Sequence, residues 1–231
     1  MKIAVKRYKE AIASLISRTP IHNLKKIILV VGHDFLNVDG KNNMTTAGTP
    51  QTSDARFYKM VQVGKKLLIE TINDLSSVVP VDVIVVAGNH DSNSMLMMGD
   101  ILEAYYHNSS EVYIHNTPAP RKYYQFGVNG NMYTHGHNEK INDLPIIFAT
   151  ENPDLWQATS RHRVHLGHFH HNKQIRVKDI EENHGCVVKI INSLSSDDAW
   201  HSEKGFLSNK AAEAFLYHET NGLIANYYFY I

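Results

Sequence analysis

The chain has 231 residues with 23 basic and 23 acidic side chains, so its overall charge lends no support to non-specific nucleic-acid binding. Its single cysteine, Cys186, excludes an intrachain disulfide framework, and no segment approaches the roughly 20 apolar residues of a membrane-spanning helix. We therefore expect a soluble, cytoplasmic protein with no membrane role, folded as one domain over residues 1–231.

Met1 to Arg18 places Ile3, Tyr8, Ala11, Ile12, Leu15 and Ile16 near a helical period, and Pro20 closes the segment, so a helix is predicted. Lys26 to Val31 is a nearly continuous apolar run ending at Gly32, as a buried strand reads. Val38 to Ser53 is polar and turn-prone, a substrate-side loop expected to be mobile. A helix through Phe57, Met60, Val63, Leu67, Leu68, Ile72 and Leu75 leads to a second buried strand, Val81 to Val86.

A helix at Met95 to Tyr106 and a strand at Val112 to His115 follow. Strands at Tyr123 to Val128 and Asn131 to His135 are expected to meet at the Asn-Gly pair between them. A helical stretch near Leu144 to Ala158 precedes strands at Arg163 to Leu166 and Cys186 to Ile191. Ala214 to His218 and Leu223 to Tyr230 read as a hairpin turning at Asn221 and Gly222. The fold class is α/β, a two-sheet sandwich flanked by helices, with the strand-rich residues 172–231 completing the second sheet.

Of fifteen histidines, His33, His90, His135, His137, His165, His168, His170 and His171 crowd around glycine-flanked segments. Four segments share one plan, a strand running into a glycine or tight turn with metal-capable side chains beyond it: Gly32-His33-Asp34, Gly88-Asn89-His90-Asp91, Thr134-His135-Gly136-His137 and Gly167-His168-Phe169-His170. In α/β sheets the ligand crevice lies outside the carboxyl ends of strands, so the four can converge. Asp34 can bridge two cations, the histidines add directed nitrogen ligands, and Asn89 offers an oxygen without charge. Such a donor set without thiolate suits Mn, Fe or Zn. His168 and His170, one residue apart, face the same side of an extended segment. His90 would point differently and could donate a proton to a leaving group. Each piece alone has a plainer explanation: a strand-ending turn for Gly-Asn-His-Asp, a core histidine for His135, an incidental exposed turn for Gly-His-Phe-His, and a turn cap for Asp34. Four coincidences in one chain are harder to accept than one shared site.

In this order the residues resemble the calcineurin-like metallophosphoesterase family, whose pattern is Asp-x-His, Gly-Asp, Gly-Asn-His-Asp or Glu, a lone His, then Gly-His-x-His. The match spans residues 26–171. The resemblance implies that Asp34 bridges two divalent metal ions, Mn²⁺ foremost with Fe or Zn as alternatives. It also implies that Asn89, His135 and His168 complete one site, that His170 serves the other, that His90 is catalytic and that Asp91 orients it. Thr45 to Gln51, with Ser193-Leu194-Ser195 and Asp198-Ala199-Trp200-His201, is similar to a narrower set of phage and prophage phosphoesterases related to DNA-repair exonucleases. That likeness implies a phosphodiesterase or nuclease of phage or bacterial nucleic-acid metabolism, acting on a phosphate ester such as DNA or RNA in the bacterial host cytoplasm, with a homodimer as a further expectation.

No Asp-x-His lies before Asp34, and His33 stands in the family's Gly-Asp position. The expectation is a fold missing its first strand and a second metal site left with Asp34 and His170, so that this chain holds only one ion. The alternative to an enzyme is a catalytically impaired fragment or a non-catalytic binding protein retaining one metal.

Overall fold

The computed structural model describes residues 1–52, 56–168, 180–183, 185–194 and 210–231. They form two compact units, one of Met1–Val5 and Pro20–Pro120, the other of Lys6–Thr19 and Arg121–Ile231. Helix α1 (Lys2–Ser17) buries Ala11 and Leu15, four residues apart on one face.

The first unit is strand, helix, strand, helix, strand: β1 (Ile27–Gly32), α2 (Phe57–Ser76), β2 (Val81–Val86), α3 (Ser92–Tyr106) and β3 (Val112–His115). Its sheet runs β1-β2-β3, all parallel. Every residue of β2 is buried, as expected of a central parallel strand that is apolar but for Asp82, which pairs with Lys26. Helix α2 turns Gly64, Leu67, Leu68, Thr71, Ile72 and Leu75 inward at helical spacing. Tyr106 ties α3 to α2 by donating its hydroxyl to Asn73 Oδ1 at 2.8 Å. In register, Gly32 pairs with Val86, so β1 and β2 end level and their loops leave the sheet side by side.

The second unit adds β4 (Arg121–Phe126), β5 (Asn129–Thr134), α4 (Leu144–Glu151), α5 (Pro153–Ala158), β6 (Arg161–Leu166), β7 (Ile180–Asn183), β8 (Cys186–Ile190), β9 (Ala211–His218) and β10 (Gly222–Tyr230). The five-stranded sheet has order β4-β5-β6-β8-β7, parallel at its centre and antiparallel at both edges. Met132, Val164, Leu166, Cys186 and Val188 from the strands close on Leu144, Phe148 and Leu155 from the helices. Burial pushes the Cys186 thiol up to about 12, as expected of a packing residue and not a nucleophile.

The mixed α/β class and most elements agree with the sequence reading, with three corrections. The hairpin β9–β10 is a sheet of its own, so among the described residues there are three sheets where two were expected. The β4–β5 turn falls at Gly127–Val128, since Phe126 pairs with Asn129 and Gly127 takes φ +54°. Asn129 instead donates its side-chain amide to the carbonyls of Phe126 and His218 at 2.8 and 2.9 Å. Gly130 is a glycine because a Cβ there would lie 2.6 Å from Thr159 Oγ1. Finally, the loop expected to be mobile is anchored as far as it is described. Val38 is fully buried, Met44 bridges to Pro50, and Asp39 gathers bonds from α3.

Candidate metal centre

All four segments singled out in the sequence leave the carboxyl ends of strands: β1 at Gly32, β2 at Val86, β5 at Thr134 and β6 at Leu166. In the first unit the exit from β1 is left-handed over three successive residues, with φ +114° at Gly32, +54° at His33 and +65° at Asp34. His33 N–H still reaches the Val86 carbonyl at 2.8 Å. A Cβ at Gly32 would collide with that carbonyl, and one at Gly88 would collide with the Asp34 carboxylate and amide. Both glycines therefore let the two loops touch through their backbones.

The touching loops are stitched by carboxylates. Asp34 Oδ1 accepts from the His90 amide at 2.8 Å. Asp91, wholly buried, accepts from the Leu36 amide at 2.8 Å through Oδ2 and from the Gly88 amide at 3.1 Å through Oδ1. These two bonds brace backbone, and His90 Nδ1 lies 3.2 Å from the Asn37 carbonyl. A carbonyl only accepts, so that nitrogen carries the proton. Asn89 sits half-buried between Gly88 and His90, in the turn that wraps Asp34.

Asp39 extends the stitching. It accepts from the Ser94 hydroxyl and amide at 2.6 and 2.8 Å, from the Asn93 amide and side chain at 3.1 and 2.8 Å, and from the Thr46 hydroxyl at 2.7 Å. It therefore caps α3, whose own N-cap residue Asp91 makes no side-chain capping bond. Burial pushes the Asp39 carboxyl up, but the bonds from Ser94, Thr46 and Asn93 outweigh it and hold the group below the usual carboxylate range.

In the second unit His135 is 2% exposed at the end of the fully buried β5. His168, half-buried, takes φ +63° two residues past β6. His168 Nδ1 is 3.2 Å from His135 Nε2. Two donors on one metal, with bonds of about 2.1 Å at roughly 90–110°, stand about 3.0–3.4 Å apart, so this pair already has the spacing of ligands to a shared ion. Thr134 donates to Glu139 at 3.3 Å, and Glu139 also accepts from Arg121, which closes the turn carrying His135.

The His135–His168 pair could serve as ligands to a metal ion, and imidazole donors fit a divalent cation. His170, Phe169 and the segment from Asp198 to His201 lie outside the described residues. Sequence reasoning missed Asn37, whose carbonyl carries no sequence signal, and Asp39, which an Asp-Gly pair marks only as a turn. No protein-family model and no curated protein matches this sequence.

Proposed function

We propose that the chain is a metal-dependent phosphoesterase of the calcineurin-like kind, a phosphodiesterase or nuclease. Asp34, His135 and His168 would hold a divalent cation, Mn²⁺ before Fe or Zn, with the Asn89 amide oxygen beside them. The observation that carries this is backbone strain. Among the described residues the non-glycine positions with positive φ are His33, Asp34, Asn43 and His168, and two of them, Asp34 and His168, are ligands in this reading. Each such conformation costs about 1–3 kcal/mol and persists where function or surrounding structure demands it.

A bound divalent ion supplies positive charge for the phosphoryl oxygens and activates water near neutral pH. The chain's own groups do the rest. The His90 amide fixes Asp34 Oδ1 and with it the direction of the whole carboxylate. The Asn37 carbonyl holds the Nδ1 proton of His90, so Nε2 is the nitrogen that, in the imidazolium form carrying a second proton, passes that proton to the leaving oxygen. Asp91 keeps the two loops in register by bonding both backbones.

The test is Mn²⁺-dependent hydrolysis of a chromogenic phosphodiester by the wild-type chain, with metal content measured alongside. Asp34→Asn should lower both bound Mn²⁺ and turnover. His90→Asn should lower turnover by about 10²-fold or more while keeping Mn²⁺. A His90→Asn protein stripped of metal would overturn the assigned roles. A wild-type chain that binds Mn²⁺ without hydrolysing any phosphodiester would leave a binding protein in place of an enzyme.

A further inference from the structure

Three imidazoles, not two, gather in the second unit. The ring centres of His135 and His168 lie 5.0 Å apart, those of His135 and His137 5.2 Å, and those of His137 and His168 6.0 Å. His135 is buried, His168 half-buried and His137 exposed, so the cluster opens toward solvent through His137. Between the buried and the exposed ring, Gly136 takes φ +93°, a conformation that re-aims the chain where a side-chain-bearing residue would be strained. The turn is also held at its far end. Glu139, its side chain 5% exposed, accepts from Thr134 Oγ1 at 3.3 Å and pairs with Arg121 at 2.6 Å. His137 thus belongs to a short segment pinned on both sides, and its place beside the pair is built in.

The close pair is His135 and His168, their facing nitrogens 3.2 Å apart, and the His137 ring stands beside it. A third ring at this distance from both partners borders whatever the pair would hold. We propose that His137 is a substrate-binding residue, donating an imidazole N–H hydrogen bond to a phosphoryl oxygen of a phosphate ester bound beside the His135–His168 pair. Phosphoryl oxygens only accept hydrogen bonds, and a neutral imidazole always has one N–H to give. The bond is charge-assisted on the acceptor side, which places it among the stronger ones. This inference rests on the phosphoesterase reading and adds to it the residue that grips the phosphoryl group.

The experiment is calorimetric titration of the full chain, first with Mn²⁺ and then with inorganic phosphate on the Mn²⁺-loaded protein. Wild type would be compared with His137→Ala, His137→Gln and His135→Ala. His135→Ala should lose Mn²⁺ binding. His137→Ala should bind Mn²⁺ as wild type does but hold phosphate about tenfold or more weakly. His137→Gln, which keeps an N–H donor, should recover most of the phosphate affinity, a rescue that loss of packing would not give. Equal phosphate affinity in wild type and His137→Ala overturns this inference alone, as does loss of Mn²⁺ in His137→Ala, which would make the residue a metal ligand. A Mn²⁺-loaded wild type that ignores phosphate overturns it too. A wild type that binds no Mn²⁺ overturns the phosphoesterase reading with it.

Discussion

In the first unit the carboxylates around the candidate ligands take hydrogen bonds from backbone amides, while in the second they meet side-chain cations. Asp34 accepts from His90 N, Asp91 from Leu36 N and Gly88 N, and Asp39 from Asn93 N and Ser94 N. In the second unit Glu139 and Glu151 share Arg121, and Glu213 pairs with Lys189 at 3.3 Å. The division has exceptions, since Asp82 of the first unit binds Lys26 and Glu213 also takes one amide from Asn192. It follows from what each carboxylate supports. The loops after β1 and β2 are irregular, and their buried amides have no ladder partner of their own. The strands and helices around Arg121 have paired backbones already, so only side chains remain to be joined.

The contrast makes Asp91 the most consequential side chain outside the ligand set. Asp91→Ala would leave the Leu36 and Gly88 amides without their acceptor in a buried place, each at a cost of about 1–3 kcal/mol, and would add a cavity. A loss of about 3–5 kcal/mol in urea unfolding is expected. Hydrogen exchange should quicken at residues 32–37 and 87–92, where the two loops lose their common brace. Unchanged exchange there would mean that the glycine contacts alone hold the loops together, and the comparison would lose its first half.

Arg121→Gln probes the second half. Glu139 would keep Thr134 but lose its cation, and breaking a buried pair costs about 3–5 kcal/mol. The Arg121 side chain is 20% exposed, so about 2–3 kcal/mol is the expected loss. Fluorescence can follow it, because Trp156 lies in this unit, stacked on His162 at 3.7 Å. The bond from Arg121 and then that from Tyr123 hold the Glu151 carboxyl low against the opposing effect of burial. A group depressed in this way adds stability above its unfolded value and loses it as the pH falls. Arg121→Gln should therefore flatten the acid limb of the unfolding profile as well as lower it.

Much of this architecture was open to a reader of the sequence. Val81 to Val86 has the bounds of β2 because an apolar run interrupted only by Asp82, between Pro80 and Gly88, has few other solutions. The candidate ligands were findable because each follows a strand that ends at glycine or a tight turn. What stayed hidden depends on contacts distant in the chain. Ile180–Asn183 carries two glutamates in four residues and gives no strand signal, yet it pairs along β8. The first turn of α3 lacks apolar period and is capped by Asp39, about fifty positions earlier. The Asn129-Gly130 pair carries a strong turn signal, but its amide and its missing Cβ serve His218 and Thr159. His137 was visible as a residue type, and only the ring distances give it a role.

The smallest effect expected is at Asp39, and it bears on whether the first unit's carboxylates act by charge or merely as acceptors. Asp39→Asn keeps an acceptor oxygen for α3 but gives up the charge, so about 1 kcal/mol should be lost at neutral pH. The folded carboxyl lies below its ordinary value of 3.8. Its charge-dependent stabilisation is therefore complete above that value and disappears as the pH falls through the folded one. The gap between wild type and Asp39→Asn should then narrow on acidification, measured as unfolding free energies at neutral and acid pH. A gap that stays constant would assign the effect to geometry alone. The contrast between the units would then be one of partners and not of electrostatics, with the loops at the candidate site held by acceptors whose charge is incidental.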